Sequence, residues 1–252
     1  MNARIDFHIH SCLSPCASLD MSPRTIVARA KAAGLDCIAL TDHSCVENLP
    51  AFHDACVEAG MACLYGLEAS TAEEVHVLCL FDDLNRALDF GRMIYNHLPD
   101  EPSDPVRFGP QPIVTVDGEV TRFAGKLLVN GTDISFSDLV LMALRAGALC
   151  IPSHIDREMC GAISHLGFLP DLPYDAVEVV WAIDPEIARR WPIARFSDSH
   201  HPDHIGRRFT EIETEAFTVP ALRAAFPVAL GLRGSLPLKC PKWLQFVMSL
   251  HL

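Results

Sequence analysis

The chain has 252 residues, 20 Lys and Arg against 32 Asp and Glu, a formal charge of −12 with histidine neutral, and 50% hydrophobic residues. That length suits one large domain or two small ones, and an α/β barrel alone can use all of it. The apolar share excludes a disordered chain, and the acidic balance excludes a broad electropositive surface for nucleic acid, though not a nucleotide held where metal ions supply positive charge.

Short apolar runs alternate with helical patterns. Residues 5–9 read as a first strand. Ser22 then offers an N-cap, Pro23 takes the first helical position, and Ile26, Val27, Ala30 and Ala33 recur at helical spacing before Gly34 stops the turn. Residues 37–40 form a second strand. A helix over 51–59 ends at Gly60, and 61–67 and 75–81 are strands joined by a short connector, which predicts an antiparallel turn. Residues 84–98 read as a helix. The five prolines between 99 and 112 predict a loop, and 114–129 suits a hairpin turning at Asp117-Gly118. A helix follows Ser135-Phe136-Ser137 through Ala146, then strands at 148–151, 176–180 and 193–196. Residues 99–132 read as an insertion covering one face of a single domain, and the apolar tail 236–252 as a terminal helix. Strands alternating with helices predict an α/β fold, barrel-like.

No run approaches the ~18 apolar residues of a membrane span, and Met1 to Asp6 lack the layout of a signal peptide. The ten cysteines contain no Cys-x-x-Cys. Cys37, Cys63, Cys79 and Cys150 sit in apolar runs where the thiol acts as a small hydrophobe. Reduced thiols and a cytoplasmic location are the expectation.

Histidines and acids gather at strand ends. His8-Ile9-His10 closes the first strand, Thr41-Asp42-His43 follows the second, Glu68 the third, His154 follows Cys150-Ile151-Pro152, and Asp198-Ser199-His200 follows 193–196. In an α/β barrel these ends meet at one mouth. Side chains two apart share a side, so His8 goes with His10 and Asp198 with His200, while His201 points away. His76 begins its strand, but an antiparallel turn brings it beside Glu68. Each motif alone is weak: surface histidines are common, and Asp42 could cap a turn. Together they suit zinc, manganese or iron held by imidazole and carboxylate, in a cluster of two or three ions.

These motifs resemble the polymerase and histidinol phosphatase (PHP) superfamily: His8-Ile9-His10, Thr41-Asp42-His43, Gly66-Leu67-Glu68 with Glu74-Val75-His76, Pro152-Ser153-His154-Ile155-Asp156-Arg157, and Ser197-Asp198-Ser199-His200. The resemblance implies a distorted seven-stranded TIM-like (β/α)7 barrel and a metal-dependent phosphoesterase. It places His8, His10, Glu68 and Asp198 on one divalent metal, His43 and His200 on a second, and His76 and His154 on a third, with Glu68 bridging; these eight residues would carry catalysis. Family members usually place another ligand soon after the first motif. Asp20 is the candidate here, or else an ordinary acid at a helix N-terminus, in which case Cys12 or Cys16 could approach the site.

Arg157 is a candidate phosphate grip with a surface salt bridge as its alternative. Arg24 is solvated or touches substrate, and Asp42 orients a ligand rather than binding metal. His53, His97, His165 and His251 read as structural or exposed, His201 and His204 as near the site without a role. Trp181, Trp191 and Trp243 read as packing residues. The resemblance implies hydrolysis of a small phosphomonoester by metal-activated water without a phosphoenzyme, His200 or His76 helping to protonate the leaving group. A nucleotide such as a nucleoside 3′,5′-bisphosphate, or a short single-stranded oligonucleotide end, is the favoured substrate. Histidinol phosphate is the alternative substrate, and a non-catalytic metal-stabilised binding module the alternative class. No membrane partner and no stable duplex DNA binding are expected.

Overall fold

The structure, a computed structural model, describes residues 1–182 and 184–226. The helix expected over 236–252, with Trp243 and His251, lies outside the described residues.

The chain opens with β1 (Asn2–Asp6) and α1 (Pro23–Ala32). Ser22 caps α1 by accepting the Thr25 N–H, and Ile26, Val27 and Ala30 form its buried stripe. β2 (Cys37–Leu40) and α2 (Leu49–Ala59) follow, and α2 stops at Gly60, whose φ of +61° is the left-handed conformation glycine adopts without strain. Then come β3 (Ala62–Ser70), β4 (His76–Phe81) and α3 (Leu84–Asn96). The proline-rich stretch holds one short helix that the sequence pattern did not reveal, α4 (Pro105–Phe108), started by Asp104. The expected hairpin is β5 (Pro112–Val114) and β6 (Val120–Phe123), with Gly118 at φ +84° in its turn. After α5 (Phe136–Arg145) and β7 (Leu149–Pro152), the elements shorten: α6 (Ala162–Leu166), β8 (Val177–Glu178), α7 (Pro185–Arg190) and β9 (Ile193–Ala194). β10 (Thr210–Glu213) and α8 (Val219–Ala225) complete the described chain.

The fold is α/β, built on a six-stranded sheet in the order β10-β1-β2-β3-β4-β7. β1, β2 and β3 run parallel, and β4 runs antiparallel to β3 and β7, as the short connector predicts. The expected seven strands are not in one sheet, because β8 and β9 are two residues long and pair with each other, while the edge position beside β1 goes to β10. Single links still tie the short pair to its neighbours: Ile155 N–H donates to Glu178 O at 2.9 Å, and Ile9 bridges Ser199 in parallel.

The two faces of the sheet pack differently. Ile38, Leu40, Leu67, Val77, Cys79 and Cys150 lie under the helices with Ile26, Phe52, Phe90 and Leu139. Ile5, Phe7, Leu64, Leu78, Leu80, Ile151 and Phe196 pack against one another on the inner face, capped by Val219 and Leu222 of α8. Gly66 keeps the inner track open, since a Cβ there would lie 2.3 Å from the Cys79 carbonyl oxygen. Alternation slips after β1: Phe7 belongs to the inner cluster and Ile9 to the outer, which turns His8 and His10 inward. The hairpin segment packs Ile113, Ala124 and Leu128 on Leu13 and Cys45, in the loops after β1 and β2. Asn48 pins it, accepting the Val114 N–H at 2.9 Å.

Candidate metal centre

Beyond the apolar inner face, each strand presents its ligand-type residue. Glu68, near the C-terminal end of β3 and 1% exposed, is the hub. Its Oε1 lies 3.2 Å from His8 Nε2, 3.1 Å from His76 Nδ1 and 3.2 Å from His154 Nε2. Its Oε2 lies 3.4 Å from His10 Nε2 and 3.2 Å from His43 Nδ1. Asp198 Oδ1 stands 3.2 Å from His8 Nε2, 3.3 Å from His10 Nε2 and 3.5 Å from His200 Nδ1. All eight strand-end residues singled out in the sequence therefore meet. Two of them hold strained backbones, His154 at φ +28° and Asp198 at φ +48°, at roughly 1–2 kcal/mol each for a residue with a Cβ.

Outer partners fix the rings. His8 Nδ1–H donates to Glu178 Oε2 at 2.8 Å, and the same oxygen accepts the His154 N–H at 3.0 Å. His10 Nδ1–H donates to Ser14 Oγ at 3.0 Å, and that hydroxyl donates to Asp42 Oδ1 at 2.7 Å. Asp42 also accepts the Ser11 N–H and hydroxyl, so it acts on His10 through Ser14. His200 Nδ1–H donates to the Asp198 carbonyl at 3.0 Å. The network turns Nε2 of His8, His10 and His200 toward the centre, where a metal would take the neutral ring as its ligand.

Two contacts of the cluster were not singled out in the sequence: Ser14, which holds His10, and Glu178, which holds His8. The signal for Glu178 was a lone carboxylate inside the apolar run 176–180, sharing strand parity with inward-facing Ala176.

The donor set fits cations. His43 Nδ1, Glu68 Oε1, His76 Nδ1, His154 Nδ1, Glu178 Oε1 and Asp198 Oδ1 are buried without a hydrogen-bond partner, and such orphans cost roughly 1–3 kcal/mol each. Short N···O approaches without hydrogen-bond alignment are what lone pairs aimed at shared ions produce. Four overlapping groups could each hold an ion, their donor atoms within 4.8 Å of one another: His8–His10–Asp198, His8–Glu68–His154, His43–Glu68–His76 and His10–His43–His200. Imidazole and carboxylate without thiolate suit zinc, manganese or iron.

Electrostatics agree. Burial pulls the His8 ring down, but the Glu178, Glu68 and Asp198 carboxylates outweigh it and hold its pKa well above the usual range. Burial raises Glu68 and Asp198, yet the facing histidines hold both well below ordinary carboxylates. Protons on imidazole here answer a demand for positive charge. His200 goes the other way, pushed down to about 3 by burial and then by His10.

Other expected residues fall elsewhere. Asp20 is exposed and belongs to none of the four groups; its backbone N–H donates to Ser18 Oγ. Cys12 is buried, its thiol pushed up to about 12 by burial and by Asp42; Cys16 is exposed, and neither joins a group. Arg157 is at the site, its Nη1 2.6 Å from Asp198 Oδ2. Arg24 is not: it lies exposed and pairs with Glu58 and with Asp117 of the hairpin turn. His53 bonds Tyr65, His97 bonds Asp133, and His201 and His204 face each other at 5.6 Å. Trp191 is buried as expected, but Trp181 is 69% exposed and corrects its reading as a packing residue.

The PHP domain family model matches residues 6–157, so Glu178, Asp198 and His200 lie beyond the matched segment. PolC-type DNA polymerase III of Thermotoga maritima is 38% identical over 72 residues, 29% of this chain and 5% of that protein. The chain thus spans a small part of the curated relatives it matches. The lesion-specific endonuclease PfuEndoQ of Pyrococcus furiosus superposes with a TM-score of 0.67 at 19% identity, over 90% of this chain and 56% of that one. Endonuclease Q with a 27-mer duplex bearing an abasic lesion gives 0.65 at 18% identity, over the same shares. A Bifidobacterium adolescentis protein described as a metal-dependent phosphoesterase gives 0.59 at 19% identity, over 82% of this chain and 92% of that one. Among the described residues no helix is long and apolar enough to cross a membrane. The match over residues 6–157, more than half of the chain, makes this protein a member of the PHP domain family of metal-dependent hydrolases.

Proposed function

We propose that this centre hydrolyses a small phosphomonoester, with a nucleotide such as a nucleoside 3′,5′-bisphosphate or an oligonucleotide end as the substrate class. The observation that carries the reading is the set of orphaned donor atoms around Glu68 and Asp198. His8, His10, Glu68 and Asp198 would hold one divalent ion, His43 and His200 a second, and His76 and His154 a third, with Glu68 shared. The ions, when bound, polarise phosphoryl oxygens and supply a nucleophile near neutral pH.

The chain's own residues do the rest. Glu178, Ser14 with Asp42, and the Asp198 carbonyl keep the rings aimed. Arg157, one-third exposed beside Asp198, has donors left for a phosphoryl oxygen. The Ser11 and Ser14 hydroxyls donate to Asp42 and the Cys12 thiol is held protonated, while the buried Ser153 hydroxyl beside His154 has no hydrogen-bonded group to act as its base. Water is the attacking group, and no phosphoenzyme forms. Of the two expected proton donors, His200 is neutral far below pH 7 and His76 is turned to Glu68; the leaving oxygen takes its proton from water at the rim. Residues 99–132, seated on the loops that carry His10 and His43, limit substrate size, and the links from β8 and β9 complete a seven-stranded ring.

A second reading, scission of a nucleic-acid strand, is favoured by the likeness to endonuclease Q over 90% of the chain. The charge of −12 weighs against it. The test is phosphate release from a nucleoside 3′,5′-bisphosphate by manganese-loaded protein with an EDTA control, beside nicking of a duplex with an abasic site. EDTA-sensitive phosphate release is expected. Nicking without release establishes the second reading, and neither activity sinks both.

A further inference from the structure

Trp181 is a large apolar surface left in solvent, on a backbone that is held rigidly. The Val180 and Trp181 N–H groups both donate to the Asp156 carboxylate, at 2.9 and 2.6 Å. From the other side the Arg195 guanidinium donates to the carbonyls of Val179 and Val180 at 3.3 Å and of Trp181 at 3.4 Å. Two charged side chains thus clamp three consecutive residues, although the indole they carry is 69% exposed.

The clamp sits beside the metal centre in the chain. Asp156 stands two residues after His154, and Trp181 three after Glu178, whose carboxylate holds His8. At ~3.3 Å per extended residue, the perch is within about 10 Å of Glu178 along the backbone. The Arg208 guanidinium carbon lies 5.7 Å from the indole centroid, a cation–π contact that restricts the ring.

Resting on the phosphoesterase reading above, we propose that Trp181 is the platform on which the substrate's nucleobase stacks while its phosphate lies at the metal centre. A π-face suits any base, and an indole that is mostly in solvent on a fixed backbone has a face to offer one. A short non-aromatic phosphoester gains nothing from this ledge.

The experiment compares wild type, Trp181→Ala and Trp181→Phe, each as the full manganese-loaded chain, on adenosine 3′,5′-bisphosphate, histidinol phosphate and glycerol 3-phosphate. Trp181→Ala raises KM for the nucleotide about tenfold, the weight of one stacked base, with kcat unchanged. KM for glycerol phosphate does not move, and Trp181→Phe recovers most of the nucleotide affinity. A second arm needs no turnover: adenosine, which has no phosphate to lose, quenches indole fluorescence in wild type and not in Trp181→Phe. A KM rise equal for all three substrates, or one confined to histidinol phosphate, overturns the assignment, as does the absence of quenching in wild type. If wild type hydrolyses none of the esters, the phosphoesterase reading fails, while the quenching arm still decides whether the platform binds a base.

Discussion

On the inner face of the sheet, Leu64 and Leu80 are as thoroughly buried as His8 and Glu68, two to four residues away along the same or neighbouring strands. At the apolar end, burial of each such side chain stabilises the fold by about 1.5–3 kcal/mol. At the polar end, burial costs free energy, and partners repay it only in part, since six ligand-type atoms keep none. The same strands build both ends: Leu64 leads to Glu68 on β3, Leu78 to His76 on β4, and Phe196 to Asp198 after β9. The difference shows a division of labour by strand position, with hydrophobic residues forming a floor on which an unfavourable charge cluster is held ready for cations.

The sharpest break of that comparison is Glu68→Gln. Five histidines approach this carboxylate, so hydrolysis and metal content should both fall by more than the ~100-fold that loss of an outer hydrogen bond costs a metal site. Phosphate release and metal analysis on the purified variant check this, and retained turnover removes Glu68 as the shared ligand. Leu64→Ala attacks the other end. It should lower unfolding free energy by about 2–5 kcal/mol, read by urea titration, with turnover per folded molecule unchanged. An equal loss of turnover would mean that the two ends are not separable.

Glu178→Gln probes the boundary between the ends, keeping an acceptor for His8 Nδ1–H while removing charge. A loss of roughly 10-fold in metal affinity, toward the lower end for outer-shell changes, is expected from competition with a chelator; Glu178→Ala should cost more. Identical affinities for both variants and wild type would show that Glu178 only satisfies its own burial.

Most of the polar end was legible because its residue types are rare at strand ends and recur at five of them. The antiparallel β3–β4 turn, and with it His76, followed from a connector too short for a crossover. Glu178 escaped because one acid in a short apolar run looks like a misplaced surface residue until its strand is known to face inward. β10 escaped because Thr210-Glu211-Ile212-Glu213 has one buried apolar residue to mark it. Asp20 was drawn toward the site by the ligand that family members place soon after the first motif, yet the loop carries it into solvent, and Arg24 serves the hairpin turn. Trp181 was misjudged for the opposite reason: composition favours burying an indole, and only the Asp156 and Arg195 clamp reveals that this one is displayed.

The smallest expected effect belongs to His200, whose ring keeps 28% exposure and marks the rim of the polar end. Its pKa is lowered from 6.5 to about 3, by burial first and then by the charge on His10. The sign follows from linkage: the unfolded chain takes up a proton below its ordinary value and the folded chain does not, so His200 makes folding less favourable as pH drops from 6.5 toward 3. In metal-free protein the His200 ring signals should therefore stay in the neutral position between about pH 7 and 4 by NMR. His200→Gln should flatten the fall in stability over that window. A ring that titrates near 6 would mean that neither burial nor the charge on His10 keeps it neutral.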